Sequence, residues 1–295
     1  MTPTIAEPPA MTVAAPGADP VAASLSSTHV LRFDRPTRAL HVVVMVTFLG
    51  LAATGMPLLF SDAPWARALA MLFFGFHGAG LVHRFFGVIL LGAVVWHLVN
   101  VSWRGFVRGE SGLFWGPDSM VPQPRDFVHF YQQLRWFFSK GPQPKFERFT
   151  YWEKFDYWAV LWGTALMGAA GLVLWFPMAA SRILPGWLFN VALFVHGAEA
   201  TLAIVFIFAI HFFNGHLRPG KFPMDTVIFT GSVSREELRH ERAAQYARLE
   251  ASGHLDRLQV PPPTPNDIGR GHFVGGIGLS LGIALFVLIL YATLR

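Results

Sequence analysis

The chain has 295 residues, of which 53% are hydrophobic and only 14% are charged, and the apolar residues form long blocks. This pattern predicts a membrane protein with several spans and excludes an ordinary soluble domain. The sequence contains no cysteine, which excludes disulfides, thiolate-bound iron–sulfur clusters and covalently attached haem. The formal net charge is +5, but most basic residues flank the apolar blocks, where membrane topology explains them, so we expect no nucleic-acid partner.

The N-terminal residues 1–31 are predicted to form a disordered cytoplasmic tail, because they are rich in Ala, Pro, Ser and Thr. The first apolar block, Leu40 to Phe60, contains no Asp, Glu, Lys or Arg. Its length matches a hydrocarbon layer about 30 Å thick. The block opens with His41, directly after a basic stretch. We therefore predict the first membrane span here.

Four more apolar blocks predict four further spans, at residues 79–102, 157–178, 187–214 and 272–294. The predicted fold is an all-α membrane helix bundle with a four-helix haem-binding core and a fifth transmembrane helix at the C-terminus. The core covers residues 32–220, a cytoplasmic segment covers 221–270, and the fifth helix covers 271–295.

The polar connections between the spans predict the orientation of the chain. The short connections after spans one and three carry one Arg each, whereas the N-terminal flank and the segments after spans two and four are strongly basic. The positive-inside rule places the basic segments in the cytoplasm. We therefore expect a multi-pass protein of the bacterial inner membrane, with a cytoplasmic N-terminus and a periplasmic C-terminus.

Two of the predicted spans carry pairs of histidines at matching depths. His83 and His97 are fourteen residues apart, and His196 and His211 are fifteen apart. In an α-helix such partners lie within about 60° of one face and roughly 21–22 Å apart. The topology puts His83 and His196 near the outer face, and His97 and His211 near the inner face, where His41 also lies. Since neutral imidazoles ligate haem iron from both sides, the pattern predicts two haems b stacked across the membrane.

Each of these histidines also has a plainer interpretation, as a hydrogen-bond donor to a neighbouring helix. Glu199 can orient a ligand, carry a proton or be a satisfied buried acid, and His77 and His216 are interpreted as interfacial. Four histidines at two matching levels favour haem. The alternatives are a histidine-based proton or metal-ion transporter, which would need more carboxylates in the spans, and a membrane anchor without a cofactor.

Four motifs carry a resemblance to a known family: RPTRALH at 35–41, LVHRFFG at 81–87, HGAEATLAIVFIFAIHFF at 196–213 and TGSVSREELRHERAAQY at 230–246. From about Arg32 to Leu249 the chain resembles the gamma, or cytochrome b, subunit of membrane-bound formate dehydrogenases, which is related to the cytochrome b subunits of nickel–iron hydrogenases and thiosulfate reductases. The resemblance implies two haems b in four spans. It also implies electron transfer between a periplasmic catalytic module and the quinone pool.

The resemblance makes His83 and His196 the outer ligand pair, and His41 and His211 the inner pair. The geometry alone would instead pair His97 with His211, so the inner partner is open between His41 and His97, and we favour His41. Two features depart from the family pattern. The chain has a fifth span, and its spacing between His196 and His211 is one residue longer, which a local bulge is expected to absorb.

The sequence thus predicts a quinone-reactive electron-transfer subunit rather than a catalytic subunit. Its expected partners are a periplasmic oxidoreductase or cytochrome c, a quinone, and the lipid bilayer. Quinone chemistry couples electrons to protons, so polar groups near the inner face are of interest. These are Asn100, Glu153, Lys154, Asp156 and Asn214.

Overall fold

The computed structural model describes residues 28–218 and 220–294. Within these residues the α-helices are α1 (Arg35–Leu59), α2 (Pro64–Met71), α3 (Gly75–Ser102), α4 (Pro124–Phe137), α5 (Tyr151–Trp175), α6 (Pro177–Ala180), α7 (Trp187–Phe206), α8 (Val227–Thr230), α9 (Arg235–Glu241), α10 (Ala243–Ala251) and α11 (Pro265–Thr293). Helix α3 continues as a π-helical turn at Trp103–Val107. Helix α7 continues as two, at Ile207–His211 and Phe213–Leu217.

Five helices are long and apolar enough to span a membrane: α1, α3, α5, α7 and α11. The predicted all-α bundle with five spans is therefore confirmed. Three of these helices begin several residues before the apolar block, because a polar side chain caps the first turn. Asp34, Thr150 and Thr264 each accept a hydrogen bond from the backbone N–H three residues later. Residues 1–27 of the predicted tail lie outside the described residues.

The spans pack as two antiparallel pairs with the fifth helix beside them. Helix α1 packs along α3, and α5 packs along α7. Helix α11 contacts both α1 and α7. The shared apolar core contains side chains from all three of these helices: Ala52, Met56, Ile204, Phe208, Phe212, Leu285 and Ile289. The fifth helix is thus packed into the bundle rather than tethered beside it.

A small antiparallel sheet joins distant parts of the chain at the N-terminal end of α1. Strand β1 (His29–Leu31) lies between β2 (Ser232–Ser234) and β3 (Gln259–Val260), with His29 opposite both Ser234 and Val260. A second apolar core supports it: Val30, Val233, Leu238, Tyr246, Leu249 and Leu255. We call the three strands together with α8, α9 and α10 the cap. No pattern in the sequence predicts this sheet.

Ion pairs fasten the cap to the bundle. Arg32 and Arg242 both bind the Glu153 carboxylate at the start of α5, at 3.1 and 3.0 Å. Burial lowers the pKa of Arg32 to about 10, against the opposing effect of Glu153. Burial alone would also lower the pKa of Lys221, but the carboxylates of Asp225, Glu241 and Glu237 outweigh it and raise that pKa. Removing one partner of such a buried pair typically costs about 3–5 kcal/mol.

Candidate functional site

His83 on α3 and His196 on α7 face each other across the bundle. Their ring centroids are 6.1 Å apart and their ring planes are inclined by 71°. A metal-bound imidazole nitrogen lies about 2 Å from the metal and roughly 1.1 Å from its own ring centre. Two imidazoles on opposite sides of one ion are therefore centred about 6 Å apart. The observed spacing fits a single metal ion between the two rings.

Helix α1 orients the His83 ring. The Oγ1 of Thr54 lies 3.1 Å from Nδ1 of His83 and donates its own proton to the Gly50 carbonyl, at 2.7 Å. A hydroxyl that donates elsewhere must accept from Nδ1–H, which leaves Nε2 unprotonated. This is the tautomer that binds a metal. The fully buried Thr54 thus holds the ring at Nδ1 and leaves Nε2 unprotonated.

Two glycines make room for these imidazoles. A Cβ at Gly55 of α1 would lie 2.9 Å from Cε1 of His83, and a Cβ at Gly171 of α5 would lie 3.2 Å from Cε1 of His196. Both distances are shorter than an ordinary carbon–carbon contact of about 3.5–4.0 Å. The buried Nδ1 of His196 has no hydrogen-bond partner within the described residues. Helices α1 and α5 therefore both shape the space around these imidazoles.

A second group of histidines lies toward the other end of α1. His41, in the second turn of α1, lies within electrostatic range of His211 and His216. Nδ1 of His211 is 3.0 Å from the Asp156 carboxylate. The buried Nδ1 atoms of His41 and His216 have no hydrogen-bond partner within the described residues. His41 also packs edge-on against Phe229 of the cap, at 6.5 Å.

His97 has a different environment. Its Nε2 lies 2.9 Å from the hydroxyl of Tyr157 on α5, and the two rings are 5.7 Å apart. The structure therefore brings His41, His211 and His216 together, and pairs His97 with Tyr157.

The π-helical turns explain both the longer histidine spacing and the position of His216. The expected bulge is present, because Ile207–His211 and Phe213–Leu217 are π-helical. In such turns the hydrogen bonds join residues five apart, and the wider turn brings His211 and His216 toward one face. The sequence predicts an interfacial position for His216, whereas the structure places it with His41 and His211. The sequence feature that indicates this position is the five-residue spacing between His211 and His216.

Residues 32–218 match the family model described as prokaryotic cytochrome b561. The match covers more than half of the chain and includes all five histidines predicted as ligands. The chain belongs to the prokaryotic cytochrome b561 family. No protein with curated annotation matches it. The chain is thus a multi-pass membrane cytochrome that binds haem b and transfers electrons.

The residues of this cytochrome suit haem b. His83 and His196 are spaced so that both would hold one haem iron, and the sequence offers no cysteine for covalent attachment. Gly55 and Gly171 leave space where larger residues would displace these two imidazoles.

The polar residues near His41 and His211 are mostly engaged in ion pairs. Glu153 binds Arg32 and Arg242, and the buried Lys154 binds Asp126 at 2.8 Å. These two residues therefore stabilise the fold at this end of α5. Glu199 lies against Gly163 of α5, where a Cβ would be 3.3 Å from its Oε1.

Proposed function

We propose that this cytochrome binds two haems b and carries electrons between a periplasmic redox partner and the quinone pool. His83 and His196 would hold the outer haem, and His41 and His211 the inner one. The observation that carries the proposal is the 6.1 Å spacing between the rings of His83 and His196. The second histidine group supports it, because it lies far enough away for a second haem. Gly55 lies against His83, and His41 is fourteen residues before Gly55, which is about 21 Å along α1.

When bound, haem b supplies a one-electron couple at its iron. The chain controls how strongly each imidazole donates to that iron. The Asp156 carboxylate accepts the Nδ1–H of His211, which fixes the tautomer with Nε2 free and raises the basicity of the ring. Thr54 does the same for His83 with a neutral acceptor. This difference favours unequal potentials at the two sites.

We assign His41 rather than His97 to the inner site. Nε2 of His97 is engaged in a hydrogen bond with the Tyr157 hydroxyl, whereas His41 lies within electrostatic range of His211. His216 belongs to the same group, and its ring packs on Phe212 at 5.6 Å. Variants of His41, His97 and His216 distinguish these three candidate partners of His211.

The quinone would react near the inner site, at the cytoplasmic side of the membrane. Glu153 and Lys154 are engaged in ion pairs. The polar groups for this chemistry are therefore Asn100, Asn214 and Oδ1 of Asp156, whose Oδ2 accepts from His211. The partner would be a formate dehydrogenase-like or hydrogenase-like oxidoreductase, or a cytochrome c. The resemblance of the four motifs favours a formate dehydrogenase-like partner, with this chain as its gamma subunit.

Haem content and ligand variants test the proposal together. A pyridine haemochrome assay of haem-saturated protein should give two haems per chain, and one or fewer would overturn the dihaem assignment. Electron paramagnetic resonance of His41→Met, His97→Met and His216→Met should then show loss of the inner low-spin signal in His41→Met alone. Loss in His97→Met or His216→Met with survival in His41→Met would reassign the ligand. Reduction by a quinol analogue in nanodiscs tests the quinone reaction separately.

A further inference from the structure

Helix α4 has an apolar face that is exposed within the described part of the chain. Four side chains at positions i, i+4, i+7 and i+11 line it: Phe127, Tyr131 and Leu134 on the helix and Phe138 at its C-cap, which are 74%, 61%, 39% and 71% exposed. This spacing places them on one side of the helix. A contiguous aromatic stripe of this kind marks an interaction surface, because soluble surfaces rarely expose one.

The other two faces of α4 are accounted for. Asp126 and Gln133 are buried against the protein, and His129 between them packs edge-on against Phe146 at 5.4 Å. Gln132 and Arg135 are exposed on the polar face, which also contains the exposed Val128. At 100° per residue, the centre of the apolar stripe lies about 130° from Gln132 and about as far from the centre of the buried face. A helix with one face on its own protein, one apolar face and one polar face suits a membrane surface.

The contacts of α4 fix its level relative to the spans. Asp126 forms its buried ion pair with Lys154, and Phe130 packs on Tyr151 at 5.5 Å. Trp158 donates a hydrogen bond from Nε1 to the Met120 carbonyl, just before α4, at 3.1 Å. All three partners belong to the first turns of span α5. Helix α4 is therefore held at the polar end of a membrane span, which is the level of the lipid headgroups.

The surrounding surface indicates lipid as the occupant of this face. Phe155 and Trp162 on α5 are 61% and 70% exposed, so the apolar surface of the span is also open toward the bilayer. Exposed Arg135 and Lys140 lie near the C-terminal end of α4, where they can reach anionic headgroups.

We propose that α4 is an interfacial helix whose Phe127, Tyr131, Leu134 and Phe138 face is embedded in the same bilayer that the spans cross. The polar face with Gln132 and Arg135 is in water. The ion pair between Asp126 and Lys154 holds the helix at this level. This inference does not depend on the haem assignment.

The absence of cysteine makes a clean test possible, because a single introduced Cys gives one labelled position in the full chain. Phe127→Cys, Tyr131→Cys and Phe138→Cys are labelled with a nitroxide and placed in nanodiscs that contain phosphatidylglycerol, one chain per disc. Gln132→Cys is the matched control on the polar face. Leu193→Cys, on the exposed surface of span α7, and Ala251→Cys, on the cap, are the lipid and water references.

Power saturation of the nitroxide compares collisions with oxygen, which concentrates in lipid, and with a water-soluble nickel complex. The three face labels should show a several-fold higher oxygen-to-nickel ratio than Gln132→Cys, and should resemble Leu193→Cys. Ratios like that of Ala251→Cys would place the face in water and overturn the proposal. Low collision with both agents would mean that protein covers the face, which would equally overturn it. Three face positions keep the test valid when one variant folds poorly.

Discussion

Gly55→Ala should selectively damage the site formed by His83 and His196. The new Cβ would lie 2.9 Å from Cε1 of His83, whereas carbon atoms in contact prefer about 3.5–4.0 Å. The ring or the helix must therefore move by about 0.6 Å or more. Metal–ligand distances tolerate only about 0.2 Å, so the ring leaves its position opposite His196. Changes in the immediate surroundings of metal ligands typically cost about 10–100-fold in affinity.

The assay combines haem quantitation with electron paramagnetic resonance of the oxidised protein. We expect loss of one low-spin signal and survival of the other, because the His41 group lies about 21 Å away along α1. Gly80→Ala is the control for the substitution itself, since nothing lies within 4 Å of its Cβ. Gly50→Ala is the control for packing, since its Cβ would clash with Phe86 instead of a histidine. Unchanged signals in Gly55→Ala, or the same selective loss in Gly50→Ala, would refute this reasoning.

Three further predictions concern the pairing of His83 with His196, the charge beside His211 and the burial of His129. His83→Ala and His196→Ala should remove the same low-spin signal, and loss of different signals would contradict their pairing. Asp156→Asn keeps a hydrogen-bond acceptor for His211 but removes its charge, so redox titration should show a raised midpoint potential of the inner signal; an unchanged or lowered potential would contradict the role of the carboxylate. Burial lowers the pKa of His129 below its ordinary 6.5, so the unfolded chain binds the proton more tightly and the folded state loses stability as pH falls below 6.5. His129→Phe should therefore lose less thermal stability than the parent chain between pH 7.5 and pH 5, which lie about one unit or more on either side of the ordinary histidine pKa. Equal losses in the two proteins would contradict this prediction.

The five spans were predictable because the bilayer imposes length and hydropathy, which are local properties of the sequence. The residues at which the spans begin were less predictable from the sequence. The polar first turns before Tyr157 and His272 are helical because Thr150 and Thr264 cap them, each in a reciprocal pair with an acidic residue. Hydropathy does not detect a capped polar turn.

The contacts of individual histidines could not be obtained from periodicity. Ideal helix geometry predicts the same membrane depth for His97 and His211. It does not predict which side chains of α5 contact them. Tyr157 is the partner of His97, and Asp156, one residue earlier, is the partner of His211. The cap sheet was missed because its strands are two or three residues long and up to about 230 positions apart, so that no local pattern reveals them.

The position of β1 in the middle of the cap sheet has a consequence for the order in which the chain is made. Its partners, Ser232–Ser234 and Gln259–Val260, are synthesised some two hundred residues after His29–Leu31. At about 5–20 residues per second, this corresponds to a delay of roughly 10–40 s. During that interval four spans can enter the membrane while the strand that precedes them has no edge to pair with. Pairing of β1 is therefore a late event of biogenesis, and a nascent chain arrested before Ser232 would contain the histidine-bearing spans without a closed cap.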